Sequence, residues 1–133
     1  MSIQYEMVRK YLQLLETFEL DADKFSGLFH DEFKQKEFPN QLNTTGQESD
    51  LSNLFERMKI GRQILQTQRF DIISHIEEEG RLMIEANWHG QMALDARTFK
   101  KDQLLRAHFC MVFEFRDHKL FRQRNYDCFE SFD

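Results

Sequence analysis

The chain has 133 residues and a net charge of −5, and its fourteen phenylalanines stand against one proline and five glycines. This length fits one domain, 1–133, and the aromatic content predicts an ordered core. The acidic balance, without long runs of one sign, argues against nucleic acid as a partner. The charged N-terminal stretch is typical neither of a secretory signal nor of a membrane span, so we expect no membrane partner and a cytoplasmic location.

Three helices are predicted in the first half of the chain. Apolar residues recur at helical spacing over residues 3–18, and Ser2 is a suitable N-cap. A second, shorter helix, capped by an aspartate of the segment 19–23, is predicted to end near His30. The stretch "FKQKEFPN" (33–40) reads as extended, because Pro39 cannot donate to a ladder. A third helix follows the polar loop 40–50 and covers residues 51–65.

From Gln68 onward the apolar period changes from helical to two, which predicts strands. Two strands flank the turn "EEEG", and their alternating residues are Phe70, Ile72, Ser74 and Ile76, then Leu82, Ile84, Ala86 and Trp88. The segments "QLLRAHFCMVFEF" and "KLFRQRNYDCFE" form a second hairpin about "RDHK". Helices first and strands afterwards predict an α+β fold in which the helices cover one face of a curved sheet.

The last strand has two different faces, and only one can join the core. The strand before it places four apolar residues on one face: Phe109, Met111, Phe113 and Phe115. Burying Arg122 and Arg124 against them would require carboxylate partners, so we place both arginines outside. Gln123, Asn125 and Asp127 then point inward, a register that requires a three-residue connection with a bulge.

Three inward polar side chains need partners or water, and a solvated cavity would supply them. The alternative is that they lie on a solvated or subunit-contacting outer face. The sequence leaves both arrangements open.

Two stretches, "LFHDEFKQKEFPN" with the following "TTG" and "FEFRDHKLFRQRNYDCFE", resemble the SnoaL-like branch of the nuclear-transport-factor-two-like superfamily, which also contains ketosteroid isomerases. The resemblance extends over nearly the whole chain. It implies a cone-shaped, strongly curved antiparallel sheet with three N-terminal helices packed on its concave face, around an apolar cavity. It also implies a homodimer through the outer sheet face.

The resemblance assigns roles to individual residues. Asp127 falls where SnoaL-type cyclases carry a base, and Tyr11 falls near the tyrosine that donates a hydrogen bond to the oxyanion in ketosteroid isomerases. Phe38 stands where those isomerases place their general-base aspartate. Met111 or Ala107 stands where they place a protonated aspartic acid. Isomerisation by their route needs both carboxyl groups and is not expected.

The catalytic candidates are therefore Asp127 and Tyr11. The residues expected to contact a ligand are Asn125, Gln123, Trp88, Phe109, Met111, Glu37, Phe38 and Phe55. Three of these residues have a purely structural alternative. Tyr11 and Trp88 could instead be ordinary core residues. Glu37 could instead form a surface ion pair with Lys34 or Lys36.

The histidine and cysteine spacings do not indicate a metal site, and no phosphate-binding glycine loop is present, so no metal and no cofactor are expected. The first of three hypotheses is a general acid–base isomerase, cyclase or dehydratase that acts on a small hydrophobic carbonyl compound, with Asp127 as base. The second is a domain that binds a small hydrophobic ligand without turnover. The third is a scaffold whose outer sheet face serves mainly in dimerisation or partner binding; this face includes His108, Glu114, Arg122 and Arg124.

Overall fold

A computed structural model describes residues 2–132. The elements in chain order are α1 (Ile3–Glu16), a 3₁₀ turn (Ala22–Phe25), β1 (Phe29–Glu37), β2 (Gln47–Asp50), α2 (Leu51–Ile64), β3 (Leu65–Glu78), β4 (Arg81–Met92), β5 (Leu104–Arg116) and β6 (Lys119–Phe129). No helix in this range is long and apolar enough to cross a membrane.

The first and third predicted helices are present as α1 and α2. The Ser2 side chain accepts a hydrogen bond from the Tyr5 backbone at 3.0 Å, so Ser2 caps α1 as predicted. Asp50 caps α2 in the same way, with its carboxylate 2.9 Å from the backbone nitrogen of Asn53. Both helices therefore begin where a short polar side chain satisfies free N–H groups of the first turn.

The second predicted helix is wrong. Only residues 22–25 form a 3₁₀ turn, and Gly27, with φ of +80°, ends it in a conformation that glycine adopts at low cost. Phe29 then begins β1 and pairs with Leu120, whose backbone nitrogen donates to the carbonyl of Leu28. Strand pairing with β6 thus overrides the local helical pattern, and the fold has two α-helices rather than three.

The six strands form one mixed sheet in the order β2–β1–β6–β5–β4–β3. Neighbouring strands are antiparallel except for β1 and β6, which run parallel. The fold is α+β, as predicted, but the sheet is open at β2 and β3, and it is neither purely antiparallel nor the strongly curved cone that the resemblance implied. We call the face that α1 and α2 cover the inner face.

The last hairpin has the predicted register but a different connection. Asp117 and His118 form a two-residue turn with positive φ at both positions, and Arg116 pairs with Lys119. The register then shifts by one residue at Phe121, which is a β-bulge in β6. The predicted bulge is therefore confirmed, whereas the three-residue connection is wrong.

The bulge decides which residues of β6 reach the core. Leu120 is fully buried, whereas Phe121 lies between the guanidinium groups of Arg116 and Arg122, at 3.9 and 3.8 Å from its ring centre. Beyond the bulge the alternation follows the predicted face. Arg124 accordingly lies outside, where it pairs with Glu114.

Candidate functional site

A cavity of about 800 Å³ lies between the inner sheet face and the two helices. Most of its wall is apolar, with Leu12 from α1, Leu54 and Met58 from α2, and Trp88 and Met92 from β4. Polar side chains concentrate where β1 and β6 run side by side. This polar part of the wall consists of Gln35 and Glu37 from β1 and Gln123, Asn125 and Asp127 from β6.

The register of β5 and β6 explains why the three β6 side chains face the cavity. Gln123 pairs with Phe113, Asn125 with Met111 and Asp127 with Phe109, and these β5 residues belong to the core. Side chains of directly opposed residues lie on the same face of a sheet. The polar alternation in β6 is therefore on the inner face, and the outer-face alternative is wrong.

Asp127 is a partly buried carboxyl group in the polar part of this wall. Its Oδ1 atom is buried and has no hydrogen-bond partner among the described residues. The pKa of Asp127 is raised from 3.8 to about 7; burial is the main cause and the nearby Glu37 carboxylate adds to it, while the Arg57 guanidinium acts in the opposite direction. A carboxyl group with this pKa can both accept and return a proton near neutral pH.

Glu37 lies beside Asp127 in the wall but is fully engaged. Its Oε1 accepts from the Arg57 guanidinium at 2.7 Å, and its Oε2 accepts from the Asn40 amide at 2.9 Å. The same guanidinium donates to the buried Gln35 side chain at 3.1 Å. The alternative of a surface ion pair with Lys34 or Lys36 is not observed, because Glu37 pairs with Arg57 in the cavity wall.

Tyr11 reaches the same wall from α1. Its hydroxyl group donates to Gln123 Oε1 at 3.1 Å, and Gln123 Nε2 donates to Asn125 Oδ1 at 2.8 Å. The ring packs edge-on against Phe29 and Phe113, and burial raises the pKa of the phenol above its ordinary value. The core position with a satisfied hydroxyl is thus observed, and the hydroxyl proton is engaged by Gln123 rather than aimed into the cavity.

Aromatic rings form the wall next to Asp127. Trp88 stacks on Phe109, with ring centres 5.7 Å apart, and both rings meet the edge of Phe129. The Trp88 indole nitrogen donates to Gln68 at 3.0 Å, which fixes the ring plane. Gly90 makes room for this ring, because a Cβ atom there would lie 2.6 Å from it. Trp88 is therefore both a core residue and part of the cavity wall.

The structure brings together eight of the ten predicted site residues: Asp127, Tyr11, Asn125, Gln123, Trp88, Phe109, Met111 and Glu37. It places Phe38 and Phe55 outside the cavity lining. Phe38 stacks on Tyr126 on the outer face, with Lys36 over its ring, and Phe55 packs against Phe25. The residue before a proline at the end of β1 turns away from the cavity, and Phe55 fills the space beside the 3₁₀ turn.

Among the polar residues of the site that were not predicted are Gln35 and Arg57. Gln35 follows Phe33 and precedes Glu37 at period two, so the alternation in β1 could have indicated it. Arg57 is 20 residues from Glu37 along the chain and gives no local signal. Among residues 2–132 no group of three or more histidine, cysteine or acidic side chains is arranged to hold a metal ion.

Comparison with solved structures identifies the fold. A SnoaL-like polyketide cyclase from Agrobacterium tumefaciens superposes with a TM-score of 0.68, over 96% of this chain and 92% of that chain, at 12% sequence identity. The fold is that of the SnoaL-like polyketide cyclases. A phenazine biosynthesis-related protein from Pseudomonas aeruginosa gives a TM-score of 0.69, over 94% of this chain and 79% of that chain, at 17% identity.

A third solved structure has a related fold. It is a protein with a ketosteroid isomerase-like fold from Catenulispora acidiphila, in complex with trimethylamine, with a TM-score of 0.69 over 91% of this chain and 84% of that chain, at 10% identity. No family model matches the sequence, and no curated protein matches it. These likenesses therefore concern the fold.

Proposed function

We propose that this protein binds a small, largely apolar carbonyl compound in the cavity and moves a proton within it, with Asp127 as the general base. The observation that carries this proposal is the buried, unpartnered Oδ1 atom of Asp127 in the wall of an 800 Å³ cavity. A carboxylate that is partly buried and has an oxygen without a hydrogen-bond partner is a stronger base than a fully exposed one.

The reaction begins with transfer of a proton from the carbon next to the carbonyl group to Asp127. The electron pair of the broken C–H bond moves toward the carbonyl oxygen and forms an enolate. Return of the proton from Asp127 to another carbon completes an isomerisation. Attack of the enolate carbon on a second carbonyl group, with transfer of the proton from Asp127 to the new alkoxide, completes a cyclisation. Loss of a β-hydroxyl group, which takes the proton from Asp127 and leaves as water, completes a dehydration. Each route conserves electrons and needs no cofactor.

The apolar wall supports this proposal, because an enolate-forming step benefits from a site that excludes bulk water. Trp88 and Phe109 line the cavity and stack on each other, so they offer an aromatic surface to a flat apolar ligand. The cavity lies within the size range of pockets for small organic ligands, roughly 300–1,000 Å³. A ligand of this class would place its polar atoms against the polar residues of β1 and β6 and its apolar atoms against the rest of the wall.

A second candidate is ligand binding without turnover. One observation favours it: Glu37 is held by Arg57 and Asn40, so it is not free to serve as a second acid beside Asp127. In this case the unpartnered carboxyl group only orients the ligand.

A thermal-shift screen with hydrophobic ketones, phenols and lactones tests whether the cavity binds such molecules. A ligand that binds the folded state raises its melting temperature in proportion to the logarithm of its concentration. For a ketone that stabilises the protein, exchange of its α-hydrogens with deuterated solvent reports proton transfer. Loss of this exchange in Asp127→Asn with retained binding supports the base, whereas unchanged exchange removes Asp127 from that role.

The homodimer through the outer sheet face is also a proposal. Met83 and Tyr126 are 42% and 43% exposed on this face, which fits a partly apolar contact. His108 and Glu114 lie on the same face, but both already have partners, in Glu130 and Arg124. Light scattering during size-exclusion chromatography distinguishes a mass near 16.2 kDa from twice that value.

A further inference from the structure

We propose that the Asn125 amide is the hydrogen-bond donor that meets the ligand's oxygen, and that Tyr11 is a positioning residue that holds this amide in place through Gln123. The assignment deepens the proposed function and rests on it for the existence of a ligand oxygen. The orientation of the two amides follows from the structure of the free protein alone.

The first step concerns the hydroxyl proton of Tyr11. A phenol carries one proton and can donate once. Tyr11 is 1% exposed, and among residues 2–132 its hydroxyl group has Gln123 as its hydrogen-bond partner, at 3.1 Å. If Gln123 offered its NH₂ group here, the buried phenol proton would have no acceptor, which is costly. The Gln123 oxygen therefore faces Tyr11.

The second step passes this orientation along β6. Gln123 is 3% exposed, and with its oxygen toward Tyr11 its NH₂ group faces Asn125, 2.8 Å from Oδ1. Asn125 must meet this donor with its oxygen. Its own NH₂ group consequently turns away from Gln123, and it donates to none of the described residues. We call this chain of two hydrogen bonds the amide relay.

The third step places this donor relative to the base. Asn125 and Asp127 are two residues apart on one face of β6, about 7 Å along the strand at roughly 3.3 Å per residue. Both line the cavity. A carbonyl compound can span this distance with its oxygen at Asn125 and its acidic C–H at Asp127. The relay thus selects ligands that carry an acceptor oxygen at one end of the polar wall and a removable proton at the other.

The amide relay gives the Tyr11 hydroxyl group a role in orienting Asn125, although its proton does not reach the ligand. Phenylalanine at position 11 would preserve the edge-on packing against Phe29 and Phe113. It would remove the proton that sets the direction of the relay. Both amides could then turn, and Asn125 would present its oxygen to the cavity for part of the time.

The direction of the relay is measurable without any ligand. In uniformly ¹⁵N,¹³C-labelled protein we expect no strong nuclear Overhauser effect between the Gln123 amide protons and the Tyr11 ring protons. We also expect the Asn125 amide protons to exchange with solvent about tenfold faster than those of Gln123, because they lack a protein acceptor. A strong Gln123–Tyr11 effect together with protected Asn125 protons would overturn the proposal.

Two variants separate positioning from structural support. Tyr11→Phe should lose the difference in exchange rate between the two amides, whereas Tyr5→Phe should keep it. Tyr5 is a buried tyrosine on the same helix that contacts His75 instead of the relay, so it is a matched control. An unchanged difference in folded Tyr11→Phe contradicts the positioning role. The wild-type measurement stands even if that variant does not fold.

A pair of probes tests the contact with a ligand oxygen. 1-Indanone and indane have almost the same shape, and only the ketone has an acceptor. We expect the Asn125 side-chain amide signals to move with 1-indanone and not with indane. If 1-indanone moves the Trp88 indole signal but leaves Asn125 in place, Asn125 is not the donor. Failure of the proposed function looks different: no compound of the thermal-shift screen would stabilise the protein, while the relay signals would be unchanged.

Discussion

Replacing Asp127 by asparagine changes the pH dependence of stability in a way that the structure allows to be calculated. The variant keeps the shape of the side chain and removes its titration. The folded-state pKa of Asp127 is raised above the unfolded value. Its contribution to stability is therefore fully present below the unfolded pKa and is lost as pH rises through the folded pKa.

The magnitude follows from the two pKa values, 3.8 for the ordinary carboxyl group and about 7 in the folded protein. Between them the unfolded chain releases a proton that the folded chain retains, which costs about 1.4 kcal/mol per pH unit. From about pH 4.5 to about pH 8 the wild-type protein should lose up to about 3 kcal/mol that Asp127→Asn does not lose. Because the Asp127 side chain is only partly buried, screening by solvent reduces this figure.

Urea unfolding of both proteins at several pH values between these limits measures the effect. The relevant quantity is the difference between variant and wild type as a function of pH, because the titration of other groups cancels in it. Asp31→Asn serves as the control, since Asp31 is an exposed carboxylate on β1. A difference that stays flat across this range for Asp127→Asn would refute the burial of the ionisable group.

Two further predictions concern the packing of Trp88 and the charges near Asp127. Gly90→Ala should destabilise the protein by about 1–3 kcal/mol in urea unfolding, because its Cβ atom would lie 2.6 Å from the Trp88 ring. Gly61 lies inside α2 and has no atom near the position of a new Cβ, so Gly61→Ala should instead stabilise the protein by about 0.5–1 kcal/mol. Equal effects of the two substitutions on stability would contradict the packing of Trp88. Glu37→Gln should lower the pKa of Asp127 in a ¹³C NMR titration, because the change removes a like charge and leaves the Arg57 guanidinium free to attract the Asp127 carboxylate. An unchanged or raised pKa would contradict an interaction between the two carboxyl groups.

Much of the fold could be predicted from patterns among residues that are close in sequence. Three of the predicted features depend only on residues that are close in sequence. They are the Ser2 cap, the apolar stripe of α2 and the period-two alternation of the four long strands. The second helix could not be excluded in this way, because Phe29 joins β1 through pairing with Leu120, 91 positions further along the chain. The parallel pairing of β1 with β6 has no local signal either.

The candidate site was predictable where it depends on one strand and on charge. The cost of burying Arg122 and Arg124 predicted Gln123 and Asp127 on the inner face, although the sequence left the outer-face arrangement open. The Glu37–Arg57 pair and the engagement of the Tyr11 hydroxyl group depend on how β1, α2 and α1 meet in space. Spacing along the sequence cannot show which of several polar groups are already satisfied by one another.

A ¹³C NMR titration of the Asp127 carboxyl carbon in the wild-type protein tests the central claim most directly. If this group lies in the cavity wall without a hydrogen-bond partner at Oδ1, its titration midpoint should be close to 7. A midpoint near 3.8, the ordinary value for an aspartate, would show a hydrated carboxylate and would contradict its role as the base.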